Sequence, residues 1–342
     1  MSISSGTTTT GLTDAWRCWV ATNLMSGVAG NQITEILARQ GFDPDQARDY
    51  ISSVQADPVY TAGKWMSERL SKLESFLDIR HDLESLTLGA TLERRRDMGT
   101  DEFLARYYSA NRPVHLEDVC PDWPAVERWT PEYLRMVIGD ELVEVMDGRD
   151  DDRRYEVNSS AHKRLMPFTA YVDTVLATER GNNTYLVANN HLLEREAASP
   201  LWSDFQIDER YLDPRARMGA VFVWFGPGGT ITPLHHDVAN ILFAQITGRK
   251  RVTLISPLQS HCVYNEVGVF SEVDPDNPNL GRFPRFVRAQ PIQLVLGAGD
   301  ALFIPVGWWH HVESLETSIS LTFTNFRFPN AFEWHHPSIH RD

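Results

Sequence analysis

From Thr184 to Phe326 the chain is a succession of short apolar runs cut apart by glycine- and proline-containing turns: TYLVAN, AVFVWF, GPGG, TITPLHHD, ILFAQI, KRVTLIS, IQLVLG, DALFIPV and SISLTFTNF. Runs of this length make strands, and many short strands with no long helix between them bury their apolar faces as a barrel or jelly roll. The expected fold is therefore mainly β. Upstream, residues 112–119 (RPVHLEDV) alternate like a half-buried strand and Leu142 to Met146 form a second candidate. Between them Thr130, Pro131 and Glu132 suit the start of a short helix that Gly139 stops. Residues 147–154 (DGRDDDRR) read as a solvated charged turn.

The first part of the chain has a different period. Ile33, Ile36, Leu37 and then Ala47, Tyr50, Ile51, Val54 recur at helical intervals, with Gly41 placed to close one helix and Asp43-Pro44 to open the next. Trp65, Leu70, Leu73 and Phe76 continue the pattern. This divides the chain into a Ser/Thr-rich, disordered start (1–11), an N-terminal α-helical domain (12–93), a β-rich domain (94–330) and a polar tail (331–342). With 342 residues and 42% hydrophobic content, such a chain buries its cores without disulfides. The three cysteines, Cys18, Cys120 and Cys262, are scattered and lack the spacing of a thiolate site. There is no apolar leader and no apolar run approaching the roughly 20 residues that span a bilayer. The expectation is a cytoplasmic protein with no membrane partner. Its net charge of -14 argues against a nucleic-acid partner, because a phosphate backbone calls for a cationic surface.

Of twelve histidines, His81, His115, His162, His191 and His261 read as surface or satisfied polar residues, and His335, His336 and His340 sit in the tail. Two clusters stand apart. In TPLHHD, His235 and Asp237 are two residues apart, which on a strand puts an imidazole and a carboxylate on one face, with His236 on the other. The pair His310-His311 follows a turn in GDALFIPVGWWHHVES, where residues 299–310 fit the second cupin signature, G-x5-P-x-G-x2-H, with Ser314 standing where that pattern has asparagine. Two histidines and one carboxylate on a rigid sheet are the facial triad of non-haem iron(II) oxygenases.

These segments, together with FAQITGRKR, VDPDNPNLGRFPRF and the closing SLTFTNF, resemble the JmjC/cupin-like Fe(II)/2-oxoglutarate oxygenases over residues 112–328, and within them the branch of the asparaginyl hydroxylase factor inhibiting HIF. The resemblance implies a double-stranded β-helix with flanking helices. It implies His235, Asp237 and His310 as the iron ligands and the catalytic centre, with Fe(II) as metal, 2-oxoglutarate as co-substrate and O2 as oxidant. Lys250 then matches the lysine that pairs with the distal carboxylate of 2-oxoglutarate, Tyr185 and Thr232 the hydroxyls that share it, and Asn325 a polar residue near the co-substrate's other end. A lysine in an otherwise apolar strand agrees with this, since an ammonium turned into a barrel is costly without an anionic partner.

Two departures concern the substrate. Ile241 replaces an asparagine four positions after the ligand aspartate, and Arg327 replaces an aromatic two positions after Asn325. The expected activity is hydroxylation of a C–H bond in a peptide or protein side chain. The alternatives are a small-molecule hydroxylase, an N-methyl-lysine demethylase and a non-catalytic metal-binding cupin module. The irregular residues 264–288 are expected to flank an open groove, and any homodimer to form through the N-terminal helices.

Overall fold

The computed structural model describes residues 12–88, 92–188 and 190–334; the disordered start expected for residues 1–11 and the tail histidines His335, His336 and His340 lie outside the described residues. The chain divides into two compact units, with the boundary between Arg80 and His81.

The first unit is built from α1 (Asp14–Met25), α2 (Gly30–Arg39), α3 (Pro44–Ala56) and α4 (Pro58–Leu88), the last of which runs across the boundary. Local chemistry sets the breaks. Gly41 takes a φ of 90°, and the Asp43 carboxylate accepts from the backbone N–H groups of Asp45 and Gln46 at 2.9 Å ahead of Pro44. Val20, Leu24, Ile33, Leu37, Ile51 and Tyr60 form its core.

The second unit carries fourteen described strands: β1 (Arg94–Arg95), β2 (Val114–Leu116), β3 (Leu142–Met146), β4 (Lys163–Pro167), β5 (Val221–Gly226), β6 (Ile231–His236), β7 (Ile241–Thr247), β8 (Lys250–Ile255), β9 (Asn265–Val267), β10 (Phe270–Ser271), β11 (Ile292–Leu296), β12 (Ala301–Ile304), β13 (Trp309–Ser314) and β14 (Ser318–Phe323). One sheet has the order β1-β2-β12-β7-β14-β5 and the other β11-β8-β13-β6-β10-β9, while β3 and β4 pair by themselves. From β5 to β8 the chain alternates between the two sheets strand by strand, and from β11 to β14 it does so again. That interleaving is the double-stranded β-helix. All pairings are antiparallel except β1 with β2.

Outward-facing Val223, Phe225, Leu321 and Phe323 of the first sheet pack under helices such as Phe168–Ala177, in one core with Trp129, Phe168 and Tyr171. Phe243, Val252, Leu254, Leu302 and Trp308 form a second core cluster. The two-residue connection from β7 to β8 crosses from one sheet to the other at Gly248 and Arg249, with Gly248 at a φ of 73°, a left-handed conformation that glycine adopts without strain.

Three segments differ from expectation. TYLVAN makes only isolated bridges, because Tyr185 pairs with Met146 and Leu186 with Phe225, so successive residues join different elements and no ladder grows. Residues 264–288 flank a cavity as expected, with Tyr264, Phe270 and Arg282 in its lining, but are also folded onto the sheet: Val273, Phe283 and Phe286 cover Leu234, Ile255 and Trp309 on the outer face of the second sheet. The charged turn 147–154 is not wholly solvated, since its Arg149 is 1% exposed. Among the described residues, no helix is long and apolar enough to cross a membrane.

Candidate active site

Strands β6 and β13 run antiparallel with His235 opposite His310, and this register brings the two imidazoles together at 4.0 Å between ring centres. Asp237, just past the end of β6, places Oδ2 3.3 Å from His310 Nε2 and 3.9 Å from His235 Nε2. The three ligand-type atoms lie within 4.8 Å of one another.

The orientation of both rings is fixed by backbone. His235 Nδ1 lies 2.9 Å from the Pro233 carbonyl and His310 Nδ1 lies 2.9 Å from the Trp308 carbonyl. A carbonyl only accepts, so each Nδ1 carries the proton and each Nε2 presents its lone pair toward Asp237. Burial, reinforced by the neighbouring His310, brings His235 down to about 4, which keeps that imidazole neutral at physiological pH. Burial by itself would push Asp237 up, but the adjacent His310 and His235 imidazoles hold its carboxyl below the ordinary value. Two neutral nitrogen donors and one carboxylate on one face suit a first-row divalent metal, iron(II) among them.

A β-bulge completes the arrangement. Between His310 and Val312 the register of β13 against β6 shifts, so Pro233 and Leu234 together oppose His311. Strict alternation would send Thr232 and His235 to opposite faces. The extra residue returns both to the interior, and Pro233, which has no N–H to give the ladder, stands in the bulge.

The interior face opens into a cavity of about 230 Å³ lined by His235, Asp237 and His310, by Tyr185, Thr232 and Lys250, and by Ile241. Lys250 is 1% exposed; its Nζ donates to Tyr185 Oη at 3.0 Å and lies 5.5 Å from the centre of the Phe243 ring. Among the described residues no carboxylate pairs with it, and burial brings its ammonium down to about 7. The cavity thus sets the buried Lys250 amine against hydroxyl groups, with Asp237 among the metal-type donors and not paired with it.

Sequence reasoning misses several of the cavity's residues. Thr322 of β14 and Thr324 just past its end line it, as does Phe222. Asn325, expected near the co-substrate, is not among the lining residues: the residue after inward-facing Thr324 turns the other way, and its Nδ2 donates to the Asp213 carbonyl at 2.8 Å. Arg149 is the larger omission. Its Nη2 donates to the Ile231 carbonyl at 2.6 Å and to Glu156 at 3.2 Å, Nη1 donates to the Asn182 carbonyl at 3.3 Å, and the guanidinium stacks on Tyr155 at 4.2 Å. No pattern within DGRDDDRR distinguishes it, since its partners lie elsewhere in the sequence.

Ile231, Pro233 and His311 face away from this interior and help to line a larger cavity, of about 400 Å³, with Tyr155, Phe270 and Arg282. Asp274, Asp276 and His311 also cluster there, but Arg251 donates to Asp276 at 2.8 Å and already neutralises it. The donor set of the smaller cavity is the more buried of the two.

A family model described as a cupin-like domain matches residues 100–330. Lysine-specific demethylase 8 of Xenopus tropicalis is 32% identical over 233 residues, 65% of this chain and 50% of that protein. Lysine-specific demethylase JMJ30 of Arabidopsis thaliana is 30% identical over 239 residues, 68% of this chain and 54% of that protein. tRNA wybutosine-synthesizing protein 5 of Gallus gallus is 30% identical over 237 residues, 65% of this chain and 72% of that protein. The chain spans about half the length of the demethylases it matches. It belongs to the cupin-like (JmjC) domain family, within the superfamily of Fe(II)/2-oxoglutarate oxygenases.

Proposed function

We propose that the chain is an Fe(II)- and 2-oxoglutarate-dependent oxygenase that hydroxylates a C–H bond in a peptide or protein side chain. The observation that carries this reading is the pairing, in one cavity, of a His235/Asp237/His310 donor set with the buried ammonium of Lys250. A buried cation without an anion costs stability, and a dicarboxylate co-substrate removes that cost.

In this reading His235, Asp237 and His310 hold iron(II), and Lys250, Tyr185 and Thr232 receive the distal carboxylate of 2-oxoglutarate. The bound metal, with 2-oxoglutarate and dioxygen, supplies the oxidation that inserts one oxygen atom into the substrate while succinate and carbon dioxide leave. The protein's own part is positional. The Pro233 and Trp308 carbonyls keep both imidazoles in the ligating tautomer, the Tyr185 hydroxyl and the Lys250 ammonium fix the co-substrate's far end, and Phe222, Trp224 and Ile241 keep water from the reacting centre.

A peptide or protein substrate is supported by the demethylase names of the relatives, and the net charge of -14 favours a neutral or basic peptide over a tRNA, the molecule in the name of the wybutosine-synthesizing relatives. Those demethylase names also support a second reading, oxidation of an N-methyl group on lysine, where the hydroxylated carbon leaves as formaldehyde.

Succinate formation from 2-oxoglutarate in the presence of Fe(II) tests the class, and failure of the wild-type chain to bind 2-oxoglutarate or metal under anaerobic titration would reject it in favour of a non-catalytic module. Mass spectrometry of peptide substrates separates the two readings: a gain of one oxygen atom marks hydroxylation, and loss of a methylene with formaldehyde release marks demethylation.

A further inference from the structure

Helix α4 leaves most of its apolar side chains in water. Its first turns dock on the helical unit: Tyr60 is buried, Gly63 lies against the Met25 side chain, and Ser67 Oγ donates to the Met25 carbonyl at 3.2 Å. Beyond Ser67 no described residue of the helix is buried. Met66, Leu70, Leu73, Phe76, Ile79 and Leu83 follow at three- and four-residue intervals, each 54–66% exposed. Nine of the 21 large apolar side chains exposed among the described residues belong to this one helix. If each of the six along this stripe leaves on the order of 100 Å² in water, the stripe offers roughly 600 Å², and the side chains flanking it bring a helix-length contact towards the about 800 Å² per partner of a stable interface. A continuous apolar stripe of that size marks an interaction surface.

The charges on the same helix identify what covers it. Around Leu73, the N-terminal half carries Lys64, Arg69 and Lys72 against Glu68, a net +2, and the C-terminal half carries Glu74, Asp78, Asp82 and Glu84 against Arg80, a net -3. This gradient is the reverse of what a lone helix's dipole favours. It is self-complementary, however, when two such helices lie antiparallel, because the basic half of each then meets the acidic half of the other at both ends. Parallel pairing would set like charge against like. We infer that α4 is a homodimerisation helix that pairs antiparallel with α4 of a second copy of this chain, about a two-fold axis near Leu73. The surface and its charges owe nothing to the oxygenase reading and stand or fall separately from it.

The test uses the full chain. Sedimentation and light scattering should give a concentration-dependent dimer, and Leu73→Glu, at a position already exposed to water, should weaken it about thirtyfold or more with an unchanged circular dichroism spectrum. Orientation is read by cross-linking in a Cys18→Ser background, since Cys18 is exposed. Leu73→Cys should link to itself, and Val59→Cys should link to a chain carrying Leu86→Cys but not to itself. A monomer at every concentration, as when the stripe packs within its own chain, overturns the proposal. So does a dimer indifferent to Leu73→Glu, or self-linking of Val59→Cys.

Discussion

The guanidinium of Arg149 lies 5.2 Å from the ring centre of Tyr185, and the Tyr185 hydroxyl accepts a hydrogen bond from Lys250. Two buried cations therefore bracket one phenol. Arg149 also holds the Ile231 carbonyl, next to Thr232, and Tyr155 Oη donates to the same carbonyl at 3.0 Å. Burial pushes the Tyr185 phenol well above its ordinary value, so it remains a neutral hydroxyl.

Arg149 is expected to position the co-substrate end of the cavity without touching its contents. Arg149→Met leaves Glu156 and two carbonyls without their donor and should cost about 3–5 kcal/mol in denaturant unfolding. Arg149→Lys keeps the charge but loses the planar fork, and should raise KM for 2-oxoglutarate more than it lowers kcat. Equal falls in kcat at unchanged KM would show that the residue acts elsewhere.

Lys250→Met should separate stability from function. Replacing an unpaired buried ammonium with an apolar side chain of similar length should leave the apoprotein as stable or more stable, by up to about 3 kcal/mol. The same change should weaken 2-oxoglutarate binding about tenfold to hundredfold, through the lost charged hydrogen bond. Differential scanning calorimetry with and without 2-oxoglutarate reads both effects.

Lys250 also predicts a pH dependence. Burial brings it down to about 7, below an unfolded lysine, so between those values the unfolded chain binds more protons and stability without co-substrate rises with pH. Binding a dicarboxylate requires the ammonium, so complex formation takes up a proton above pH 7. Affinity for 2-oxoglutarate should fall by up to about tenfold per pH unit from there. Titration calorimetry in buffers of different ionisation enthalpy measures the proton uptake, and a pH-independent affinity between 7 and 9 would contradict it.

Asp237→Ala removes the only carboxylate of the donor set and should lower affinity for divalent metal by more than about a hundredfold, beyond what loss of a supporting group does. Succinate production should vanish with it. Turnover that survives the change would move the metal to other residues.

What the sequence makes legible is what depends on nearest neighbours. His235 and Asp237 share a face because they sit two residues apart, and the Gly299–His310 turn announces its histidine by the spacing of glycines and proline. Thr232 is a harder case: counted by alternation it belongs on the wrong face, and only the bulge at Pro233-Leu234 corrects it. Asn325 fails for the opposite reason, since alternation holds there and Thr324 takes the interior position. Arg149 is illegible because, besides Tyr155 and Glu156 of its own loop, the partners that hold it, Asn182, Ile231 and Tyr185, come from distant parts of the sequence.

Gly248→Ala should disturb the strand that carries Lys250. A Cβ there would stand 2.3 Å from the Thr317 carbonyl oxygen, at a φ that L residues avoid. Backbone on both sides leaves little room to relax, and the expected loss is about 2–4 kcal/mol of stability. An unchanged unfolding midpoint would mean that the β14 entry moves freely.

The pairing of His235 with His310 also has a consequence for how the chain is made. Two of the donors are close in sequence, but the third arrives only when β13, the last strand but one, inserts between β6 and β8. A nascent chain that has emerged through β6 holds an incomplete ligand set with weak hold on any metal, and the grip tightens abruptly once the non-local pairing forms. A metal held by the completed set would bind the finished barrel and not its precursors, and would so lower the unfolded population by mass action.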